Sequence, residues 1–170
     1  MKKSACIFIS ALCLLLILSL CACAPRNASP RRVLEAMCRA ETSLPAGQLY
    51  VRLPPQDGAA SLSDEVLTVI FGNGVLPPEI ELIADAALYL SYTQPCEMAV
   101  FQCKSTDGTD AIAAMCLRRL DSLDSYWTEH GQVGNGNVLE HARVTVCGRW
   151  VIFTLCADPD AILRAARHAL

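Results

Sequence analysis

Glu97 is the strongest candidate for chemistry in this sequence, because it opens a predicted strand whose apolar neighbours indicate burial. A buried carboxylate either works as an acid or base or needs a cation beside it. Arg118, Arg119 and Lys104 are the cations that the predicted elements can bring near it. We therefore take Glu97 and Arg119 as the candidate functional polar residues, with a purely structural ion pair as the alternative role.

Other residue sets lack the types and spacings that catalysis or metal binding requires. The three histidines, His130, His141 and His168, do not stand at metal-ligand spacings, and no GxSxG, HExxH or CxxC motif occurs. The Gly-Asn-Gly sequences at 72–74 and 134–136 are predicted turns, since neither continues into a phosphate-binding motif. We predict no catalytic residue, no metal and no cofactor.

A second group of side chains could form an exposed recognition patch of aromatic and cationic groups. Its members are Tyr126, Arg143, Arg149 and Trp150. Such groups are enriched where proteins bind partners. The alternative is that another part of the domain covers Trp150.

Ten cysteines divide between the first 23 residues, which hold four, and the rest of the chain, which holds six. The six are Cys38, Cys96, Cys103, Cys116, Cys147 and Cys156. In an exported domain, six cysteines allow three disulfides in 15 pairings. The other alternative is mostly free thiols that pack as small hydrophobic side chains, in a domain long enough to form a core without crosslinks. Both alternatives stay open.

The N-terminus has the layout of a bacterial export signal. Two lysines precede an apolar run, and residues 4–24 contain no charged side chain. The run ends in Leu-Cys-Ala-Cys at 20–23, which resembles a lipobox with Cys23 as the lipid acceptor. The pattern predicts a signal peptide over residues 1–22, removed by cleavage. The alternatives are an uncleaved membrane helix, since about 20 apolar residues span a bilayer, and secretion without a lipid.

The segments after the signal are a predicted tether, residues 23–29, and a single predicted domain, residues 30–170. Of 14 Lys and Arg residues, two belong to the signal, so 12 remain against 17 Asp and Glu residues, a net charge of −5. That acidic balance excludes nucleic acid as an expected partner, because nucleic-acid binding needs a basic surface. The predicted location is the outer face of the cell membrane, with the membrane contacted through the lipid anchor.

Hydrophobic periodicity predicts an α+β domain built from helices and two β-hairpins. We expect a two-layer sandwich, in which an antiparallel four-stranded sheet made of the two hairpins carries the helices on one face. Helices are predicted at 30–41, 64–71, 109–128 and 159–168, hairpin strands at 86–92, 97–104, 142–147 and 150–156, and a short further strand at 49–52.

Each hairpin has a predicted register. A four-residue loop places Tyr92 opposite Glu97 in the first hairpin, and a Gly148-Arg149 turn places Cys147 opposite Trp150 in the second. One face of the second hairpin is wholly apolar and is assigned to the core: Ala142, Val144, Val146, Val151, Phe153 and Leu155. The opposite face, which carries Trp150, is mixed and is expected to be partly exposed.

Four segments resemble one family of small bacterial lipoproteins, mostly from Gram-positive bacteria, whose domain has no assigned function. They are the strand sequence at 96–104, the long helix with Arg118-Arg119, the Gly148 turn before an aromatic strand, and the sequence at 157–160. The resemblance covers about residues 31–168. It implies an extracytoplasmic address and an α+β fold, and it implies no activity. The cysteines from position 96 onward depart from the family pattern.

These observations predict a membrane-anchored extracytoplasmic lipoprotein that acts as a non-enzymatic binding or accessory module of the cell envelope. Its expected partners are an envelope protein or a cell-wall polymer. The alternative is an envelope enzyme or accessory factor in cell-wall polymer modification, with Glu97 and an arginine in its site. A third hypothesis is a thiol-based redox role.

Overall fold

The computed structural model describes residues 28–52, 58–129 and 140–170. The predicted signal peptide 1–22, Cys23 and the loop 131–137 lie outside the described residues. Within the described ranges, no helix is both long enough and apolar enough to cross a lipid bilayer. The elements are α1 (Pro30–Ala40), β1 (Gly47–Val51), β2 (Ala60–Ser61), α2 (Asp64–Gly72), a 3-10 helix (Pro78–Leu82), β3 (Ile83–Ser91), β4 (Glu97–Cys103), a second 3-10 helix (Thr106–Gly108), α3 (Thr109–Glu129), β5 (Arg143–Cys147), β6 (Trp150–Leu155) and α4 (Pro159–Ala169).

The strands form one six-stranded mixed sheet in the order β2-β1-β3-β4-β6-β5. Every neighbouring pair is antiparallel except β1 and β2, which are parallel. The α+β class is confirmed. The expected sheet of four antiparallel strands lacks two strands of the observed sheet. β1 pairs with the free edge of β3, and the two-residue strand β2 pairs with β1 at the edge of the sheet. A two-residue strand is too short to leave a hydrophobic pattern in a sequence.

Helices cover both faces of the sheet, so the predicted two-layer sandwich with helices on one face is wrong. On one side α2 and α3 pack over a core that includes Leu67, Ile112 and Phe101. On the other side α1 and α4 pack over a separate core that includes Leu34, Ile162 and Val100. The central strands β3 and β4 carry apolar residues at successive positions, which is typical of strands that are buried on both faces.

The register of the first hairpin differs from the prediction by two residues. Leu90, and not Tyr92, lies opposite Glu97, and Leu88 lies opposite Ala99. The backbone N–H of Ser91 donates to the carbonyl of Cys96 at 3.0 Å, so the four-residue loop begins one residue earlier than expected. A shift of two residues keeps each side chain on its original face. The predicted division of faces therefore survives the wrong register.

The second hairpin has the predicted register, with Cys147 opposite Trp150. Gly148 has φ of 57°, in the first central position of the turn, where a positive φ favours glycine. One prediction for its faces is wrong: Val146, assigned to the core, is 43% exposed, because β5 is an edge strand. The face that carries Trp150 is partly exposed, as expected, since Arg143 is exposed and Trp150 is half-buried, although α1 and α4 cover Ile152.

Three predicted helix starts are confirmed by their N-caps. Asp158 Oδ1 accepts a hydrogen bond from the backbone N–H of Ala161 at 2.9 Å. Ser63 Oγ accepts from Val66 at 3.3 Å, and Ser29 Oγ accepts from Arg32 at 3.4 Å. Each bond satisfies one of the free donors in the first helical turn. These caps fix where α1, α2 and α4 leave the preceding loop.

Candidate functional site

A cavity of about 340 Å³ opens between α3 and the end of the first hairpin. Side chains from the β3–β4 turn form one wall, α3 forms the opposite wall, and Asn73 contributes from the end of α2. The lining residues are Asn73, Leu90, Ser91, Tyr92, Gln94, Cys96, Glu97, Arg119, Ser122, Leu123, Tyr126 and Trp127. Apolar and aromatic walls with a few convergent polar groups are typical of a small-molecule site.

The ion pair of Glu97 and Arg119 lies in this cavity. Arg119 Nε donates to both carboxylate oxygens of Glu97 at 3.2 Å, and Arg119 Nη2 donates to Oε2 at 2.9 Å. The Glu97 side chain is 2% exposed and the Arg119 side chain 15%. The forked guanidinium satisfies both oxygens of a carboxylate that would otherwise be buried without a partner.

Regular structure brings these two residues together. Glu97 is the first residue of β4, a central strand, and it is paired with Leu90 on one side and Leu155 on the other. Arg119 lies on the face of α3 that also carries the buried side chains of Cys116 and Leu123, because residues three and four apart share one helix face. Packing of that face against the sheet directs the guanidinium toward the start of β4.

Of the three cations that the sequence analysis considered for Glu97, the structure places Arg119 beside it. Arg118 points away and donates from Nη2 to Glu79 Oε1 at 2.7 Å, in a pair on the outer side of α3. Lys104 is exposed, one residue beyond the end of β4. Adjacent helix residues point about 100° apart, so the sequence order Arg118-Arg119 could not by itself show which arginine faces the sheet.

Aromatic rings line the part of the cavity farthest along α3. The rings of Tyr126 and Trp127 meet edge to face with their centroids 5.1 Å apart. Trp127 is 8% exposed, and its Nε1–H has no hydrogen-bond partner among the described residues. Tyr92 is exposed at the mouth and shares a hydrogen bond between hydroxyl groups with Tyr50. The cavity therefore offers flat aromatic surface beside the buried ion pair.

The predicted aromatic and cationic patch is not brought together. Tyr126 lines the cavity, whereas Trp150 packs against the core under α1 and α4. Arg143 donates to the backbone carbonyls of Glu140 and Ala142 next to it. Tyr126 is thus the member of that patch that belongs to the candidate site.

The six cysteines of the domain carry no disulfide here. Cys103 and Cys116 are buried in the core under α3. Cys38 is half-buried on α1, where burial raises the pKa of its thiol to about 12. Cys96 and Cys156 are buried together, with their Sγ atoms 3.0 Å apart. Across the described ranges, no three His, Cys, Asp or Glu side chains converge as a metal site.

Sequence reasoning found Glu97, Arg119 and Tyr126, but it did not place Tyr126 beside the ion pair and it missed Trp127 and the polar rim. Trp127 both contributes to the core under α3 and lines the cavity. Tyr92 was placed in a strand, whereas it lies in the loop after β3. One sequence signal was present: Tyr126 and Trp127 follow Arg119 by seven and eight residues, which is two helical turns along the same side of α3.

Comparison with known proteins adds no relative: the chain matches no family model, no curated protein and no solved structure. The resemblance to small bacterial lipoproteins accordingly stays a prediction. The arrangement of the cavity itself is the basis for the function argued below.

Proposed function

We propose that this chain is a lipid-anchored, non-enzymatic binding module on the outer face of the cell membrane. Its cavity takes a neutral polyhydroxylated ligand, which in the cell envelope is a sugar unit of a cell-wall polymer. Cys23 carries the lipid, the tether of residues 23–29 is short, and the domain consequently lies close to the membrane. The apolar run and the Leu-Cys-Ala-Cys sequence at 20–23 support this address.

The observation that carries the ligand class is the closed pairing of charges inside the cavity. Arg119 occupies both oxygens of Glu97, so the two buried charges compensate each other. A charged ligand would have to compete with this pair for Arg119 or for Glu97, at the cost of leaving a buried charge unpaired. A neutral ligand leaves the pair intact.

The remaining lining groups match the two faces of a sugar ring. Tyr126 and Trp127 provide flat apolar surface, on which the carbon-bound hydrogens of a ring can pack. Asn73, Gln94 and Tyr92 line the cavity and are exposed, and they provide amide and hydroxyl groups for ligand hydroxyls. A volume of about 340 Å³ lies at the small end of the range for ligand sites and fits one or two sugar rings.

Calorimetric titration of the full chain in detergent with a chitotetraose probe, an oligomer of N-acetylglucosamine, tests this proposal. We expect binding by the wild type and an affinity about tenfold lower for Tyr126→Ala, which corresponds to about 1.4 kcal/mol. Leu117→Ala is the matched control, because Leu117 is 53% exposed on α3 outside the cavity. Absence of binding at millimolar probe, or equal weakening by the control, would refute the proposal.

The same samples separate binding from the alternative, an envelope enzyme or accessory factor in polymer modification. Glu97 lines the cavity, which is the observation that favours that alternative. Mass spectrometry of the probe after incubation shows whether it has been shortened or altered. Intact probe with measurable binding supports a binding module. Probe altered by the wild type but not by Glu97→Gln would replace the binding proposal with catalysis.

A further inference from the structure

Cys96 and Cys156 occupy neighbouring positions at the same end of two paired strands. Cys96 precedes β4, Cys156 follows β6, and the last observed pair between these strands is Glu97 with Leu155. Extending that antiparallel register by one position sets the two cysteines directly opposite each other. We propose that they are a dithiol modification site, which a disulfide oxidant converts into a crosslink between β4 and β6.

The geometry meets the requirements of a disulfide before any bond has formed. Residues directly opposite each other in antiparallel strands have Cα atoms about 4.5–5.5 Å apart, within the range of about 4.4–6.8 Å that disulfides require. The Sγ atoms of Cys96 and Cys156 are already 3.0 Å apart. A bond of about 2 Å needs only a small further approach of the two sulfurs.

The fold also discriminates this pair from the other pairings that the sequence allows. Cys103 and Cys116 belong to the core on the opposite face of the sheet. Cys147 stands opposite Trp150, at the far end of β6 from Cys156. Cys38 lies on α1 over the same core as Cys156 and is the competing partner.

Oxidation proceeds by two thiol–disulfide exchanges with a small-molecule disulfide. Cys96 enters first, since it lines the candidate cavity and a second cavity of about 160 Å³, whereas Cys156 lines neither; their exposed fractions are 6% and 1%. The Cys96 thiolate forms a mixed disulfide and expels one thiolate of the oxidant. Cys156 then attacks Cys96 Sγ and expels the second. The two electrons pass to the oxidant, and the two thiol protons pass to solvent and the released thiolates.

The crosslink would fix the end of the strand at which the candidate site begins. Cys96 directly precedes Glu97, and the Cys156 thiol lies 4.0 Å from the Glu97 carbonyl oxygen. Joining β4 to β6 here closes a long loop through the chain, which restricts the unfolded state. This inference does not rest on the proposed ligand or location, because the chemistry requires only the folded domain and an oxidant.

The test is incubation of the full chain in detergent with oxidised glutathione, followed by alkylation of free thiols and mass mapping. Cleavage with trypsin and chymotrypsin at Phe101 separates Cys96 from Cys103. We expect one crosslinked peptide pair that contains Cys96 and Cys156 and lacks two hydrogens, and a melting temperature raised by about 10 °C. Recovery of both cysteines in alkylated form, or a crosslink of either one to Cys38, overturns the proposal.

Two variants test the assignment independently of the wild-type peptide map. Cys156→Ala should lose the crosslink and the rise in melting temperature, and Cys116→Ala, a matched buried thiol on the other face, should keep both. If Cys156→Ala fails to fold, the wild-type peptide map still decides. A crosslink that persists in Cys156→Ala contradicts the assignment.

Discussion

Arg119 holds both carboxylate oxygens of Glu97, with three nitrogen–oxygen distances between 2.9 and 3.2 Å. The pair joins α3 to the start of a central strand and lies in the wall of the candidate cavity. Removing one partner of such a pair leaves the other charge buried, which costs far more than the pair contributes to stability. This asymmetry makes the two residues sensitive positions for mutation.

We first predict that Arg119→Gln lowers the free energy of unfolding by about 3 kcal/mol, because Glu97 then loses its cation. Arg52→Gln is the control, since the carboxylate that it leaves without its partner, Asp64, is 57% exposed, and we expect a loss of about 1 kcal/mol or less. Urea unfolding followed by circular dichroism measures both. Equal losses in the two variants would contradict the buried role of the Glu97 pair.

A second prediction concerns the anchor. Cys23→Ala should abolish lipid attachment and leave a chain that retains residues 1–22, because the lipid acceptor is missing. Cys21→Ala is the control, since Leu20 stands where a lipobox with Cys21 as acceptor needs a small residue. Intact mass of the membrane fraction distinguishes the products. Lipid on the Cys23→Ala chain, or full-length unmodified wild type in the soluble fraction, would contradict the proposed address.

The third prediction is a loss of stability in alkali. Burial raises the pKa of Cys38 to about 12 from the ordinary 9.0 and raises the pKa of Cys116 as well. The unfolded thiols lose their protons above about pH 9, while the folded ones keep them, so the free energy of unfolding falls as pH rises. Stability should therefore be complete below pH 9 and fall progressively from pH 9 toward pH 12.

Urea midpoints under reducing conditions at several pH values across this range measure the effect. Cys38→Ala should show a shallower decline than the wild type, because one of the raised pKa values is gone. A wild-type midpoint that does not change between pH 8 and pH 11 would be incompatible with thiols held protonated by burial.

A fourth prediction tests the close approach at the start of β1. A Cβ atom added at Gly47 would lie 2.5 Å from the carbonyl oxygen of Leu90 and 2.7 Å from the ring of Tyr89. Backbone must move to admit it, so Gly47→Ala should lower the free energy of unfolding by about 2 kcal/mol. The measurement is urea unfolding beside Ala46→Ser, an exposed neighbour. An unchanged midpoint for Gly47→Ala would argue against this packing.

The parts of the fold that sequence predicted best are those determined locally. The cap of Asp158 and the Gly148 turn depend on a few adjacent residues, and both occur as expected. The second hairpin took its register from that turn. In the first hairpin the loop carries no glycine, and Ser91 sets its start by accepting hydrogen bonds from the backbone of Thr93 and Gln94. The position at which this loop begins depends on the hydrogen bonds of one side chain, which hydrophobic periodicity does not reveal.

The arrangement of helices on the two faces of the sheet was harder to predict, because the apolar pattern of an amphipathic helix does not show which face of a sheet the helix covers. Both α1 and α3 have one apolar face, yet they lie on opposite sides. The runs 86–89 and 98–101 were the available signal, since strands buried on one face alternate and these do not. For the site, the type of residue could be predicted at Glu97, but its partner depends on the rotation of α3 about its own axis.

The sheet divides the interior into two compartments with separate walls. Val100 and Phe101 are consecutive in β4, yet each side chain meets a different set of helices. Sequence neighbours of this kind share no packing partners, so substitutions at the two positions should behave as if they were in distant parts of the molecule. Substitutions beneath α1 and α4 should thus leave the cavity unchanged, except at Cys96, which packs in that core and also lines the cavity.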